Sequence, residues 1–528
     1  MAPSDRLVLR SFHCDSKTST SVRHPAQGTW SLPVLGSSMS TQPAADRAPG
    51  AASMSTSSVT LDAGSRTRTI NLGAGPSMLP TPVLFSASQA LVDYQNLGMG
   101  VTEISHRSST FQKIVEEAEQ DLRQLLGISD EFAVFFTQGG GTEQFSAVAL
   151  NLMARHMAKY PKYWQRQQAS IAKAAAAATG ADGPSQLRPC GPPADYAISG
   201  SWSAKASKEA SRLGFDSRAV FDSRKDVEGS QGKFGAIPPV HTWRLSPISS
   251  TDDGVDAPPA FLYYCDNETV DGVEYNFPSN DTSDGGGKRG FPVDALPASY
   301  VANVPLVADM SSNILSRRIP HLSSHALIFF GAQKNVGPSG VTIVIVKRQF
   351  IVDPDEALRA AGLWSAPRIP TTLVYKNLLD NSSLYNTPPM FSIYVSGLVF
   401  KDLLQPAHGG VHGAEERSEQ KAHAMYSLID SSLVFVPTVR QKEVRSRMNV
   451  TFRLQRPPQS GGAAAGPDEQ LEAAFVKACA AAGIVQVKGH RSVGGIRTSL
   501  YNAVTLEQTD KLVQVMRDFA AQVEAGKV

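Results

Sequence analysis

The stretch that decides the fold class is "HALIFFGAQKNVGPSGVTIVIV", residues 325–346. Two apolar runs flank a Gln-Lys-Asn tripeptide and a Gly-Pro-Ser-Gly turn. Runs rich in Ile, Val and Phe and bounded by glycine and proline are typical of β-strands. The loop between them is too short for the crossover that parallel strands need, so the pair is predicted to be antiparallel. Lys334 follows the first strand, where an ammonium group is unfavourable unless the site uses it.

Other apolar runs extend this pattern toward the N-terminus. Predicted strands are "FAVFFT" (132–137), "ADYAIS" (194–199), "AFLYYC" (260–265) and "VPLVAD" (304–309). Apolar residues recur at helical spacing over 111–126, and Gly127 marks the expected helix end. A second helix is predicted after "QGGG", with Thr142 at or near its N-cap. Strands that alternate with helices predict an α/β fold with a mostly parallel sheet.

The chain divides by composition into three parts. Residues 1–66 are rich in Ser, Thr, Ala and Pro without an apolar period, which predicts a disordered extension. Residues 67–360 carry the α/β pattern, and 361–528 are predicted to form a smaller α+β domain. Four stretches are predicted to be inserted surface loops or disorder from their Gly, Pro, Ala and charged content: 166–194, 216–259, 280–290 and 456–469.

Composition excludes several classes of protein. The 528 residues, 41% hydrophobic and 19% charged, suffice for more than one globular domain. A net charge of +2 favours neither a nucleic acid nor an anionic membrane as partner, and no apolar stretch reaches the roughly 20 residues of a membrane helix. Four cysteines without a CxxC pair indicate neither a metal site nor a disulfide framework. We therefore predict a cytoplasmic protein, or an organellar one if the extension is a transit peptide.

Lys334 and Asp309, each at the end of an apolar run, are candidate catalytic residues. A lysine that forms an imine with an aldehyde and an acid that keeps a pyridine nitrogen protonated are what pyridoxal phosphate (PLP) needs. The glycine run before Thr142 offers backbone N–H groups to a phosphate, and Trp202 offers a flat face to a pyridine ring. On the residues alone, a loop lysine, an ordinary strand–helix turn and a core tryptophan remain alternatives.

Two His-Arg pairs indicate recognition of an anion. They are His106–Arg107 in "SHRSS" and His490–Arg491 in "GHRSVGGIR", which also contains Arg497. Guanidinium groups match the geometry of carboxylates and phosphates, and nearby histidines add donors. Each arginine alone is more commonly a solvated surface residue, but together they favour a site for a small dianionic molecule.

Nine stretches of the chain follow one another in a familiar order. They are "NLGAGPSMLP", "ISHRSSTF", "QGGGTEQFSAVALNL", "GSWSAKASKEA", "YYCDNETVDGVE", "ADMSSNILSR", "GAQKNVGPSGVTIVIV", "YNTPPMFSIYVSGLV" and "GHRSVGGIRTSLYNA". Together they resemble the phosphoserine aminotransferase family, PLP enzymes of fold type I, from about residue 70 to the C-terminus. The resemblance implies a large domain with a mostly parallel seven-stranded sheet and a smaller α+β C-terminal domain. It also implies ping-pong transamination in serine biosynthesis, in which glutamate and 3-phosphooxypyruvate give 2-oxoglutarate and O-phosphoserine.

The resemblance implies a role for each site residue. Lys334 would bind the cofactor aldehyde and move the substrate proton, Asp309 would pair with the pyridine nitrogen, and Trp202 would stack on the ring. Four further residues would contact the cofactor: Gly141, Thr142, Thr269 and Gln333. Asn386 and Thr387 would reach the cofactor phosphate from a neighbouring subunit, which implies a homodimer with shared sites. Arg497 would hold the α-carboxylate, and the distal anion would be bound by His106, Arg107, His490 and Arg491.

Two residues depart from the family pattern. Thr142 stands where the family usually has Arg or Cys, and Glu143 stands where it has Gly. A carboxylate beside a phosphate is unfavourable unless it points away.

The alternatives to this family are another fold type I aminotransferase of small amino acids, a cysteine desulfurase, or a non-catalytic relative. Lys334 and Asp309 argue against a non-catalytic relative. A desulfurase needs a cysteine on a mobile loop, whereas Cys265 falls in a predicted strand and Cys190 in an insert.

Overall fold

The computed structural model describes residues 63–177, 192–248, 257–363, 368–458 and 466–528. Its helices are α1 (Ala63–Thr67), α2 (Thr81–Val92), α3 (Ser109–Leu126), α4 (Gly140–Lys159), α5 (Pro161–Ala177), α6 (Ser201–Arg212), α7 (Ser223–Asp226), α8 (Ala298–Asn303), α9 (Pro354–Ala360), α10 (Tyr375–Asp380), α11 (Met390–Leu403), α12 (Gly410–Ser431), α13 (Glu469–Ala481) and α14 (Leu506–Glu524). Its strands are β1 (Ile70–Asn71), β2 (Phe132–Thr137), β3 (Pro193–Ile198), β4 (Asp216–Asp222), β5 (Leu262–Cys265), β6 (Asn267–Glu268), β7 (Val273–Glu274), β8 (Phe277–Pro278), β9 (Arg289–Gly290), β10 (Leu306–Asp309), β11 (His325–Gly331), β12 (Thr342–Lys347), β13 (Phe435–Pro437), β14 (Asn449–Leu454), β15 (Ile484–Val485) and β16 (Ile496–Ser499).

A seven-stranded sheet organises the larger part of the molecule. Its strand order is β2-β12-β11-β10-β5-β3-β4. Strand β12 runs antiparallel to both of its neighbours, and the other pairs are parallel. The predicted mostly parallel sheet and the predicted antiparallel pairing of β11 with β12 are confirmed.

Both faces of this sheet are buried, which explains why its strands are continuous apolar runs. In β11, Ile328 and Phe330 join one apolar cluster while Leu327 and Phe329 join the other. Successive side chains of a strand point to opposite faces, so a strand buried on both faces is apolar at successive positions, as residues 326–330 of β11 are. Strands β5, β10 and β11 run parallel, so their carboxyl ends meet at one edge of the sheet, where α/β proteins bind their ligands.

A three-stranded sheet, β13-β14-β16, lies in the C-terminal part and has its own apolar cluster. That cluster includes Ile70 and Leu72 from the start of the described chain, because β1 pairs with β15. In contrast, Tyr375 and Phe400 pack in the clusters of the large sheet. The apolar clusters thus differ from the predicted division at 360/361: residues 375–403 pack with the large sheet, and residues 70–72 with the small one.

Several local predictions need correction. The predicted insert 216–259 begins with β4, the edge strand of the large sheet, and the part of 166–194 up to residue 177 continues helix α5. The stretch 280–290 is anchored rather than loose, because the buried Lys288 Nζ donates to Asp281 (3.1 Å) and Ser283 (2.6 Å). Helix α4 begins at Gly140 after the N-cap Gly139, so Thr142 lies inside its first turn.

The remaining predictions on these segments fall partly outside the described residues. The outside residues are 1–62, 178–191, 249–256, 364–367 and 459–465, which contain most of the predicted extension and Cys190. Within the described part, Cys265 and Cys479 are buried free thiols. None of the helices seen there has the length and apolar character needed to cross a membrane. The cytoplasmic location stays a prediction.

A network of buried charged residues lies near the carboxyl edge of the large sheet. Arg317 is 2% exposed; its guanidinium donates to Asp266, and its Nε donates to Glu274 Oε1 (3.2 Å). Glu274 also accepts from the backbone N–H (2.8 Å) and Nη2 (3.2 Å) of Arg447, which precedes β14. Burial by itself raises the pKa of Glu274, but Arg447 and Arg317 outweigh it and lower that pKa. The network thus links the large sheet to the small one.

We predict that Arg317→Met destabilises the protein by about 3–5 kcal/mol, because it leaves the buried Asp266 without its bonded cation and removes one of the two cations bonded to Glu274. The free energy of unfolding from urea titration checks this. Lys376→Met is the control, since it breaks only a half-exposed pair with Asp380 and is expected to cost less than about 1 kcal/mol. Equal losses for the two variants would contradict the assigned role of Arg317.

Candidate active site

The amine of Lys334 lies at the carboxyl edge of the large sheet, just after β11. Its Nζ donates to the Thr269 hydroxyl at 2.8 Å. Its backbone carbonyl accepts from the Ser77 hydroxyl at 2.5 Å, and the neighbouring Gln333 carbonyl accepts from the Ser77 N–H at 3.0 Å. Burial lowers the pKa of Lys334, and the nearby Asp309 and Cys265 oppose this effect. The site therefore favours the neutral, nucleophilic amine more than solvent does.

Asp309 ends β10 and is 5% exposed. Its Oδ1 accepts from the N–H (2.9 Å) and the hydroxyl (2.6 Å) of Ser311, and the Tyr263 hydroxyl lies 3.5 Å from Oδ2. Burial raises the pKa of Asp309, while the Ser311 hydrogen bonds and Lys334 act against this rise. The structure thus holds an acid, with one oxygen fully bonded and the other weakly bonded, close to the lysine.

Trp202 lies in the first turn of α6. Its backbone N–H donates to Glu268 Oε2 at 2.7 Å. Its indole Nε1 is buried and has no hydrogen-bond partner among the described residues. The Lys205 Nζ lies 4.0 Å from the centroid of the indole ring, within cation–π range. This buried donor is therefore available to a ligand or to a water molecule.

The glycine turn lies between β2 and α4. Gly139 has φ 83°, a left-handed conformation that favours glycine, and the first N–H groups of α4 have no intrahelical acceptor. A Cβ built on Gly141 would lie 3.8 Å from Asp309 Oδ2, so this turn adjoins the acid. Thr142 is exposed. The Glu143 side chain folds back onto Gly139, and burial raises the pKa of its carboxyl.

Arg497 lies on β16, beside the lysine. Its Nη1 donates to the Thr269 carbonyl at 3.3 Å. It forms no ion pair with a carboxylate in the part of the chain that the structure describes. The guanidinium is only partly exposed, and burial lowers its pKa. An arginine pKa lies far enough above neutral that the group stays cationic, so Arg497 is a half-buried charge free to receive a carboxylate.

The 489–495 loop presents His490 and Arg491 next to Arg497. His490 Nδ1 accepts from the N–H of Ser492 at 3.3 Å and lies 2.7 Å from its hydroxyl. Because Nδ1 is an acceptor, the neutral ring carries its proton on Nε2, which can donate to an anion. Burial and then the charges of Arg497, Lys205 and Arg491 lower the pKa of His490. Arg491 is exposed.

His106, Arg107, Asn386 and Thr387 form a second group. The Thr387 hydroxyl lies 3.2 Å from His106 Nδ1, and His106 Nε2 is buried without a partner among the described residues. Arg107 is exposed, and Asn386 lines a pocket with Glu143. Within the described chain, no hydrogen bond or ion pair joins this group to Lys334, Arg497 or His490. In the described residues, the hydrogen bonds therefore join the predicted site residues within two groups and not between them.

Gln333 and Thr269 complete the surroundings of the lysine. The Gln333 side chain folds over Gly331, where a Cβ would lie 2.5 Å from its Oε1. Thr269 is 4% exposed and contacts both Lys334 and Arg497. The amine, the buried acid, the aromatic face and the free N–H groups fit the aldehyde, pyridine nitrogen, ring and phosphate of PLP.

Sequence reasoning missed several residues that form hydrogen bonds with the site residues or with the helix that carries Trp202. Glu268 and Asp271 accept hydrogen bonds from the start of α6, Ser311 binds Asp309, and Ser77 binds Lys334. Burial and then repulsion by Asp271 raise the pKa of Glu268 to about 8. Glu268 adjoins Thr269 in the quoted block "CDNET", but its partners on α6 lie 65 and 66 residues away. No local pattern reports such a contact.

Comparison with known proteins supports the geometry. The model of the class-V aminotransferase family matches residues 69–162 and 291–512. Phosphoserine aminotransferase of Drosophila melanogaster is 39% identical over 450 residues, which cover 85% of this chain and 98% of that protein. Phosphoserine aminotransferase 2, chloroplastic, of Arabidopsis thaliana is 36% identical over 461 residues, covering 87% and 86%. A solved PLP-bound phosphoserine aminotransferase from Trichomonas vaginalis has TM-score 0.63 and 31% identity, covering 85% of this chain and 100% of that one.

The fold and the site thus define a class-V aminotransferase, a PLP-dependent transaminase. Within this class, the chain belongs to the phosphoserine aminotransferase family. The predicted fold class and cofactor are confirmed. The roles of individual site residues stay predictions.

We predict that PLP attaches to Lys334 with a pH midpoint below the ordinary lysine pKa of about 10.4, because burial disfavours the ammonium form. Below the midpoint the ammonium cannot attack an aldehyde, and above it the amine can. Asp309→Asn should lower the midpoint further, since the Asp309 carboxylate raises the pKa of Lys334. The attachment rate, followed by the absorbance of PLP across a pH series, measures this midpoint.

Asp380→Asn serves as the control for charge removal, because Asp380 lies on the surface and pairs with Lys376. Its midpoint should equal that of the unmodified protein. An Asp309→Asn midpoint that moves upward would overturn the assigned coupling between the acid and the lysine.

Proposed function

We propose that the chain transfers the amino group of glutamate to 3-phosphooxypyruvate, giving 2-oxoglutarate and O-phosphoserine for serine biosynthesis. The observation that carries this proposal is Arg497, a half-buried guanidinium without an ion-pair partner among the described residues, in contact with the same threonine as Lys334. Both amino acids carry an α-carboxylate that a guanidinium fork matches. Its placement would hold Cα of either substrate near the lysine amine.

PLP, when bound, supplies an aldehyde that reacts with an amine and a protonated pyridine ring that withdraws electrons from Cα. Asp309 would keep the pyridine nitrogen protonated, since the one hydrogen bond that its Oδ2 makes with a described residue is the 3.5 Å contact with Tyr263. Trp202 would stack on the ring. Gly141, Thr142 and the other N–H groups at the start of α4 would bind the phosphate, with Thr269 and Gln333 nearby.

Lys334 would move the proton between Cα of the substrate and the cofactor. A general base must be neutral to accept a proton, and burial favours that form here. The Thr269 hydroxyl holds the amine at 2.8 Å, which limits the directions from which it can reach Cα. After accepting the proton, the resulting ammonium is stabilised by the nearby Asp309.

The distal anion site must accept a phosphate in one half-reaction and the γ-carboxylate of glutamate in the other. His490 and Arg491 lie on a loop next to Arg497, and the neutral His490 ring presents an Nε2–H donor. Several adjustable donors, among them arginine cations, serve two anions of different shape better than one rigid fork does. His106 and Arg107 would complete this set.

A homodimer explains why the site residues form two groups. In this proposal, His106, Asn386 and Thr387 of one subunit complete the Lys334 group of its partner. An exposed apolar surface supports such an association: Phe85, Leu91 and Val92 on α2, then Leu97 and Met99 on the loop that leads toward His106. Tyr385, next to Asn386, is also exposed. Contiguous exposed apolar residues commonly mark a protein interface.

Two variants test the activity. Lys334→Ala should abolish turnover while PLP can still be retained by the remaining contacts. Arg497→Lys should raise KM for glutamate and for phosphoserine alike, by about tenfold or more, because an ammonium cannot make the paired hydrogen bonds of a guanidinium. Steady-state kinetics of both half-reactions measure these effects. High activity on unphosphorylated serine or alanine with little on phosphoserine would favour another aminotransferase.

Mixed dimers test the shared site. Lys334→Ala and the double variant Asn386→Ala with Thr387→Ala should each be inactive alone. Mixing the two under conditions that exchange subunits should restore activity, because each mixed dimer then contains one intact site. Analytical ultracentrifugation gives the oligomeric state. A monomeric active protein, or a mixture of exchanged subunits that stays inactive, would refute the shared site.

A further inference from the structure

The segment from Asn267 to Asp271 connects the groups that surround the lysine. The Asn267 side chain donates to Ser312 (2.7 Å) and Asn449 (2.8 Å). The Thr269 hydroxyl accepts from Lys334, and its carbonyl accepts from Arg497. Glu268, the residue between Asn267 and Thr269, points instead toward the start of α6. One short segment therefore touches both sheets, the lysine and the helix that carries Trp202.

Glu268 is 0% exposed, and its carboxylate is held by three hydrogen bonds. Its Oε2 accepts from the Trp202 N–H at 2.7 Å, and its Oε1 accepts from the N–H (2.9 Å) and the hydroxyl (2.6 Å) of Ser203. Gly200 leaves room for this carboxylate, since a Cβ there would lie 2.3 Å from Glu268 Cγ. A carboxylate at a helix N-terminus is favoured by the unpaired N–H groups and the helix dipole.

We propose that Glu268 is a positioning residue for transamination, which fixes the aromatic face of Trp202 relative to Lys334. The inference rests on the proposed function, because Trp202 serves the reaction only if it stacks on PLP. Glu268 lies one residue before the threonine that binds the lysine amine and binds the N–H of the tryptophan itself. A carboxyl group with all three bonds made allows little movement of Trp202 relative to Thr269.

Asp271 offers a matched comparison on the same helix terminus. Its Oδ2 accepts from the Ser201 N–H at 2.7 Å, and its Oδ1 accepts from the Ser201 hydroxyl at 3.2 Å. It is also buried. It makes no hydrogen bond to Trp202 or Ser203 in the described chain. Loss of Asp271 therefore removes a cap of α6 without removing the bond to the tryptophan.

The test compares holoenzymes of Glu268→Gln and Asp271→Asn. Glu268→Gln keeps the side-chain shape but replaces one acceptor oxygen with an N–H₂ group, which must face a backbone or hydroxyl donor. We expect its PLP affinity to fall about tenfold, the loss expected when one hydrogen bond of a buried carboxyl group is removed. We also expect a weaker induced circular dichroism of bound PLP and less quenching of tryptophan fluorescence by it. Asp271→Asn should lower the thermal midpoint but keep both spectroscopic signals.

A milder pair of variants keeps the proposal testable if Glu268→Gln does not fold. Ser203→Ala removes one of the three bonds to Glu268 and should give a smaller change of the same signals. Ser207→Ala, one turn later, removes only a contact with Ser217 (2.9 Å) and should change nothing. Unchanged signals in Ser203→Ala and Glu268→Gln, or equal changes in Asp271→Asn, would overturn the proposal. A wild-type protein that binds no PLP would instead refute the proposed function.

Discussion

A lysine amine held at the edge of a buried sheet is the constraint on which the rest of the structure depends. The hydrogen bond from Lys334 Nζ to Thr269 satisfies one donor of that amine. Burial of an amine without hydrogen-bond partners costs free energy. The surrounding chain provides such partners. Ser77 binds the lysine backbone and Ser311 binds the acid beside it. Each of these residues follows or faces the end of a strand of the large sheet.

The same constraint explains the two-part construction of the molecule. Thr269 belongs to the large part, yet its carbonyl accepts from Arg497 on the small sheet. Glu274 and Arg447 form a second link between the two parts. The lysine is thereby supplied by one part, and Arg497, which we propose binds the substrate carboxylate, by the other. Such an arrangement suits a reaction in which two different amino acids enter the same site in turn.

The distribution of charged side chains around the site suits the ligands that we propose for it. Thr142 carries no charge at the start of α4, and Glu143 folds back onto Gly139 instead of lying among the free N–H groups of this helix. Positive charge is concentrated near His490, where Arg491 and Arg497 lie, and Lys205 lies over the ring of Trp202. The backbone at the helix start can thus serve a phosphate while the arginines serve the substrate anions.

Sequence by itself determined six of the seven strands of the large sheet, all except the edge strand β4, together with their class of pairing and the identity of Lys334 and Asp309. Continuous apolar runs leave only a sheet with two buried faces, and a charged residue at the end of such a run must belong to the edge. It also gave the family resemblance, because the quoted blocks are local and contiguous. Glu268, Ser311 and the grouping of His106 with Thr387 were decided only by tertiary structure. Their partners are distant in the chain, apart from the Ser311–Asp309 turn, and hydrogen bonds between distant residues leave no periodic pattern. The packing of residues 375–403 on the large sheet was also decided at that level, since an apolar helix face does not specify which core it joins.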